Sequence, residues 1–434
     1  MDRALIADAA RYLAAWLEYR QRTLAIPGLV AAVGHDGELL LHRAYGVSDV
    51  ETGVAMTADR PFPVASHSKT FTAALVLRLV EQGLVRLDDH LSRWLPTVDQ
   101  RLGDVSIGEL LSHSSGVTRD GADCDFWQLD RPFPTAAELL AAAAPVLGRN
   151  ERFKYSNVGF ALLGQVVEAV CGEPFAVAVT REVVAPLGLT ATSADPAGRD
   201  CPTGYTARRG GAHRVPLPLP ATSAFAPATG FCATAADLVT FATALCDGEA
   251  ALLGADTRRA MRRVAWVGER GDDDYGMGLM TSMVGDRRIH GHGGAFPGFI
   301  TATRFDAGER VVTVALCNAI DAPAGDLART MQAVIGHAQG CGPAVPAPPD
   351  DVTGRYTGVW GTYDVVRLGS QLLAFDPELA DPLERRLELR PDLSEPGRWT
   401  VTRGSGYGSP GERVTFAGET ARFGGMTMRR ESRW

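Results

Sequence analysis

Lysine is almost missing from this chain. Its 434 residues hold 43 Lys plus Arg, yet only Lys69 and Lys154 are lysines and the other 41 are arginines. Arginine keeps its proton near neutral pH, whereas a desolvated lysine can give one up, so a lysine retained here is a candidate for proton chemistry. Positive charge is also short: the net charge of −8, with no long basic run, argues against a nucleic-acid or anionic-membrane surface and points to a small-molecule or peptide partner. The seven cysteines (Cys124, Cys171, Cys201, Cys232, Cys246, Cys317, Cys341) are odd in number and form no CxxC pair. Neither a disulfide framework nor a zinc ribbon is suggested, and reduced, mostly buried thiols are expected. No stretch approaches the roughly 20 apolar residues of a membrane span. The opening "MDRALIADAARYLAAWLEYRQRT" carries acids and arginines throughout, unlike the uncharged core of a secretory signal, so the expected location is the cytoplasm.

What is present reads as an ordinary globular chain, 45% hydrophobic and 22% charged, long enough for two or three domains. "GLVAAVGHDGELLLHRAYGV" (28–47) predicts two strands around Asp36-Gly37, and "FITATRFDAGERVVTVALCNA" (299–319) a second hairpin. Between them, apolar runs after Ser66 and over "SNVGFALLGQVVEAVCG" (156–172) predict two buried helices ending near Gly83 and Gly172. "TAADLVTFATAL" opens with Thr234 and Asp237, a variant of the capping box. Residues 195–229 read as a long irregular excursion. The Pro/Gly-rich "GCGPAVPAPPDD" (340–351) reads as a linker between a domain at 1–339 and a tail at 352–434, whose short alternating strands predict a small all-β barrel or half-barrel.

Three stretches carry chemistry. In "PVASHSKTFTAALVLRL", Ser66 stands at the first turn of the buried helix with Lys69 three residues on and so on the same face. The positive helix end favours negative charge near that serine, and its backbone N–H can serve an oxyanion hole. In "KYSNVGFALLG", Tyr155 and Asn157 stand at the entry to the second helix. A phenol whose pKa is lowered by a nearby ammonium can carry a proton, and an asparagine can hold both the lysine and a substrate amide. In "RIHGHGGAFPGF", the glycines allow close approach of a ligand to the strand, and His292 is expected to project into the cleft. His290-Gly-His292 could also ligate zinc, but no further ligands follow in the next residues.

These three elements, in this order, resemble the serine β-lactamase and penicillin-binding-protein superfamily, in the branch with class C β-lactamases, D-stereospecific aminopeptidases, DD-peptidases and related esterases. The resemblance covers about residues 5–338 and includes "LLSHSSGV" (110–117), "ATGFCATAADLVTF" (228–241) and "YGMGL" (275–279). It implies an α/β fold: an antiparallel sheet flanked by helices plus an all-helical region, with the tail similar to the β-barrel appendages of some members. It further implies Ser66 as nucleophile, Lys69 as base or proton relay, Tyr155 as general base and acid, and Asn157 as anchor for substrate and lysine. His292 and Gly294 would lie on the cleft strand, and the N–H groups of Ser66 and Ala295 would form the oxyanion hole. No cofactor and no metal are implied. His67 and His113 are expected to be structural, Lys154 a solvated neighbour of Tyr155, and the loop around Phe126 and Trp127 either a pocket wall or core packing.

Class C β-lactamases usually show Lys-Thr-Gly where this chain has His292-Gly293-Gly294. Losing the hydroxyl and the permanent charge should weaken carboxylate recognition. The expected activity is therefore hydrolysis of a small amide or ester, D-aminopeptidase-like or esterase-like, through a covalent Ser66 acyl-enzyme. The alternatives are a transacylase passing the acyl group to an amine acceptor, a β-lactamase or DD-peptidase, a non-catalytic binding module, and a metallohydrolase.

Overall fold

A computed structural model describes the chain apart from residues 197, 209–210, 212, 250–251, 270–272, 344–351, 393, 396, 405–409 and 433–434. Its helices include α1 (Arg3–Thr23), α2 (His67–Glu81), α3 (Asn157–Cys171), α4 (Ala235–Ala244) and α5 (Ala324–Gln339). Two compact units form: Ile26–Gly325, and a second that joins Met1–Ala25 to Asp326–Trp434. The breaks thus flank the first helix and fall inside α5, whereas composition drew the eye to 340–351, where residues 344–351 lie outside the described residues. Proline and glycine mark where a chain turns; what groups a helix with a unit is where its apolar face packs. Tyr12 of α1 lies 5.0 Å from Phe375 between ring centroids, and Asp8 accepts the Gly369 N–H at 3.2 Å.

The larger unit contains a seven-stranded sheet of β1 (Gly28–His35), β2 (Glu38–Gly46), β3 (Asp274–Tyr275), β4 (Met280–Val284), β5 (Arg287–Phe296), β6 (Phe299–Asp306) and β7 (Val311–Cys317). Their order is β2-β1-β7-β6-β5-β4-β3, and every pairing is antiparallel. Asp36 (φ 52°) and Gly37 (φ 84°) both take left-handed backbone in the first hairpin, the conformation that a two-residue primed turn needs. β1 and β7 are buried along their whole length, which is why they read as unbroken apolar runs. Helix α4 packs on β1 so closely that a Cβ at Gly34 would lie 2.3 Å from Val239 Cγ1. Thr234 caps α4 by accepting the Asp237 N–H, but the Asp237 carboxylate turns to Ala191 N–H and the Thr192 hydroxyl instead of closing the expected box.

Helix α2 is buried on nearly every side, polar residues included. Phe71 is stacked between Phe231 (4.7 Å) and Phe241 (3.8 Å). Burying one such ring stabilises by roughly 1.5–3 kcal/mol. Its hydroxyls find backbone partners: Thr70 donates to Gly278 O (2.9 Å) and Thr72 to Pro227 O (2.7 Å). Helix α3 starts with Ser156 accepting the Gly159 N–H and stops at Gly172 (φ 68°), a left-handed helix end. At its middle Gly164 lets Pro227 approach to where a Cβ would be 2.2 Å away, so the 226–230 turn sits against both α2 and α3.

In the second unit, β8 (Gly354–Gly358), β9 (Gly361–Leu368), β10 (Gln371–Phe375), β11 (Leu387–Pro391), β12 (Arg398–Arg403), β13 (Arg413–Ala417), β14 (Thr420–Phe423) and β15 (Met426–Arg430) form a closed barrel. β8 pairs with both β9 and β15 and so completes the ring. Among the described residues no single helix is long and apolar enough to cross a membrane.

Candidate active site

The segment leading into α2 is bent sharply. Ala65 is buried with φ 48°, a left-handed conformation that costs a non-glycine residue about 1–3 kcal/mol and persists only when its surroundings enforce it. They do so here. His67 Nδ1 donates to Val64 O (2.7 Å), its Nε2 accepts from the Thr303 hydroxyl (3.1 Å), and the Ser68 hydroxyl donates to Ala65 O (2.5 Å) while accepting the Phe231 N–H (3.0 Å). Ser66 therefore stands as N-cap of α2, partly exposed, with its side chain making no cap hydrogen bond. The hydroxyl is left free for chemistry.

Lys69 is fully buried. Its Nζ lies 3.2 Å from Ser66 Oγ, 2.6 Å from Asn157 Oδ1 and 2.8 Å from Ala228 O. The Tyr155 ring centroid is 4.8 Å from the same nitrogen. Desolvation holds the lysine well below its ordinary pKa; Asp120 opposes that and Arg119 adds to it. The geometry brings Ser66, Lys69, Tyr155 and Asn157 together. Tyr155 is hydrogen-bonded to Ser66, yet its phenol is pushed up, not down: burial outweighs the Ser66 bond and the nearby Arg119. The expectation of a phenol acidified by an ammonium fails for a physical reason: burying the ring penalises the phenolate more than its neighbours favour it.

The third element sits beside these residues but is built differently from the expectation. A Cβ at Gly294 would lie 2.3 Å from Val64 O and 2.4 Å from Thr301 Oγ1, so only glycine lets β5 run against the segment that turns into Ser66. Ala295 follows, exposed at the end of β5. His292, in contrast, does not project into open space: it is 2% exposed, its Nδ1 donates to Gly293 O (2.6 Å) and its Nε2 accepts from the Tyr275 hydroxyl (3.2 Å). Desolvation, with Lys69 nearby, keeps the ring well below its ordinary pKa and so neutral. Its partner His290 turns to Thr281 Oγ1 at 2.9 Å. Among the described residues no three His, Cys, Asp or Glu converge as metal ligands.

A model of the family described as beta-lactamase matches residues 13–338. The chain belongs to the beta-lactamase family. It is 30% identical over 311 residues to a D-aminopeptidase of Brucella anthropi, covering 67% of this chain and 56% of that protein. Against esterase EstB of Burkholderia gladioli the identity is 35% over 204 residues, 42% of this chain and 51% of that protein. The chain spans about half the length of these curated relatives. The octameric penicillin-binding protein homologue from Pyrococcus abyssi superposes with a TM-score of 0.67 at 19% identity, over 97% of this chain and 98% of that one.

Within this beta-lactamase family site, further residues surround the reacting groups. His113, itself at φ 58°, accepts the Ser156 N–H on Nδ1 (3.1 Å) and packs 4.4 Å from the Tyr155 ring and 4.8 Å from Tyr275. Tyr275 and Ala228 lie in stretches that carried the family resemblance, which was their signal. Asp120 had none: it accepts the Asn157 Nδ2–H at 2.6 Å from a loop 37 residues away. Lys154 is half-buried, and its N–H donates to His113 O (2.9 Å). The aromatic loop does both things expected of it. Phe126 is core, against Phe133 and Phe225, while Trp127 reaches Phe296 (6.0 Å) and walls an open groove of about 480 Å³ with Leu129, His213, Leu217, Pro297 and Ile320.

Proposed function

We propose that this chain is a serine acyl hydrolase that cleaves a small amide or ester through an acyl-enzyme on Ser66. The observation that carries the reading is the buried Lys69 amine, 3.2 Å from a serine hydroxyl and otherwise bonded only to two carbonyl oxygens. A neutral amine has two N–H donors and one lone pair. With Asn157 Oδ1 and Ala228 O taking the donors, the lone pair is left for the Ser66 proton. Lys69 accepts that proton as Oγ attacks the substrate carbonyl, and the new oxyanion is received by the N–H groups of Ser66 and Ala295. Tyr155, kept as a phenol, then gives its proton to the leaving group and is reprotonated from Lys69. Water attacks the ester in the second half, and the same groups run in reverse. His292, neutral and tied to Tyr275, supplies no cation for a substrate carboxylate, which supports the aminopeptidase and esterase side of the family over β-lactamase or DD-peptidase chemistry. The names of the relatives, a D-aminopeptidase and an esterase, support the same class.

A fluorophosphonate followed by mass spectrometry should label Ser66 in the wild type and nothing in Ser66→Ala. Absence of labelling at Ser66 in folded wild-type protein would overturn the reading. Supplying an ester donor with and without an amine then measures hydrolysis against transfer; a predominantly amide product would make the chain a transacylase.

A further inference from the structure

Resting on that reading, we propose that Asp120 is a positioning residue that keeps the lone pair of Lys69 on Ser66 by fixing which way the Asn157 side chain faces. A primary amide is nearly symmetric in shape, and it is oriented only by what its two ends touch. The NH₂ end of Asn157 meets Asp120 Oδ1 at 2.6 Å and the carbonyl end meets Lys69 Nζ at 2.6 Å. A carboxylate can accept and never donate, so the Asp120 oxygen at 2.6 Å permits only this orientation. Were the amide to turn over, its NH₂ end would face Lys69. The lone pair of the neutral amine would then accept from Asn157, and the serine would lose its base.

Asp120 is suited to this task by its own surroundings. Its side chain is 11% exposed, and its second oxygen is 3.2 Å from Arg119 Nε. Arg119 is itself pinned: its carbonyl accepts the N–H groups of Asn157 (2.9 Å) and Val158 (3.1 Å) at the start of α3, and its guanidinium lies 5.8 Å from the Tyr155 ring centroid. A charge at the mouth of the site is thereby relayed through one carboxylate and one amide to the buried amine. The electrostatic direction agrees, since Asp120 raises the affinity of Lys69 for its proton while burial lowers it.

The test uses the full chain and two readouts, the rate of fluorophosphonate labelling at Ser66 and the pH profile of kcat/KM for a neutral ester. Asp120→Ala should slow labelling by about 10²-fold, the size expected when a reacting group loses its alignment. It should also move the acid limb of the profile to lower pH, because the lysine loses its negative neighbour, and added formate should restore part of the rate. Asp120→Asn, isosteric and able to meet Asn157 with either end, should fall between the two and serves if the alanine variant does not fold. Folded variants that label Ser66 within about twofold of wild type with an unmoved acid limb overturn the proposal, as the energy difference is then too small for a lost base. A slowed variant with an unmoved limb and no response to formate overturns it too, in favour of a merely structural carboxylate. Failure of the wild type itself to label would instead bring down the serine reading on which this rests.

Discussion

Two buried cations in this chain meet opposite fates. In the barrel, Arg355 is 2% exposed and grips Asp364, 0% exposed, through two hydrogen bonds of 2.7 and 2.8 Å. Burial lifts Asp364 to about 6 even against that grip, while the carboxylate holds Arg355 above its ordinary value, so the pair stays ionic near neutral pH. Lys69 in the other unit is as deeply buried, but its hydrogen-bond partners are a hydroxyl and two carbonyls. Among the described residues no carboxylate hydrogen-bonds to it, and burial holds its pKa well below the ordinary value. Arg355, which finds a carboxylate, is a fastener; Lys69, which finds only dipoles, holds its proton weakly. The chain uses arginine for the first and its rare lysine for the second, as the proton affinities of the two side chains require.

The contrast can be broken most strongly at Lys69. Lys69→Arg keeps a cation that cannot be discharged, and kcat should fall by about 10²–10⁴-fold, the usual contribution of a general base; retention of activity would mean the lysine acts only through its charge. In the barrel, Arg355→Met leaves Asp364 buried and unpaired and should destabilise the protein by about 3–5 kcal/mol, read as a lower denaturation midpoint. Replacing both residues with apolar ones of similar volume should recover most of that loss. His67 sharpens the rule for a third group. Burial pushes its ring down to about 4, so its contribution to stability is complete above the ordinary value of about 6.5 and is lost as pH falls towards about 4, some 3 kcal/mol in all. His67→Gln should flatten the acid side of the stability profile by one proton, and an equally steep profile would refute this. The smallest effect belongs to a pair in open solvent: Arg86 and Asp88, each 72% exposed, lie 2.8 Å apart, and Arg86→Ala should leave the melting temperature unchanged.

What the sequence made legible was local. Ser66 and Lys69 share a helix face because three residues make almost one turn, and the Asp36-Gly37 hairpin announces itself in two residues. The order of the three motifs then pointed to the family. Relations across the fold were hidden: no spacing links Asp120 to Asn157, or His292 to Tyr275, and the sign of the Tyr155 shift depends on how much water the finished fold excludes. Even the seven cysteines illustrate the limit. Their number and spacing gave no sign that Cys201 and Cys232 would bring their sulfurs to 3.1 Å from each other.

Closure of the eight strands has a consequence for how copies of this protein could meet. A ring in which β8 bonds to β15 exposes no row of unsatisfied amides along a free margin, and such margins are what allow one polypeptide to extend the ladder of another. Among the described residues the large sheet does possess two margins, β2 and the two-residue β3. Of these two margins β2, with nine residues, is the longer template for strand addition.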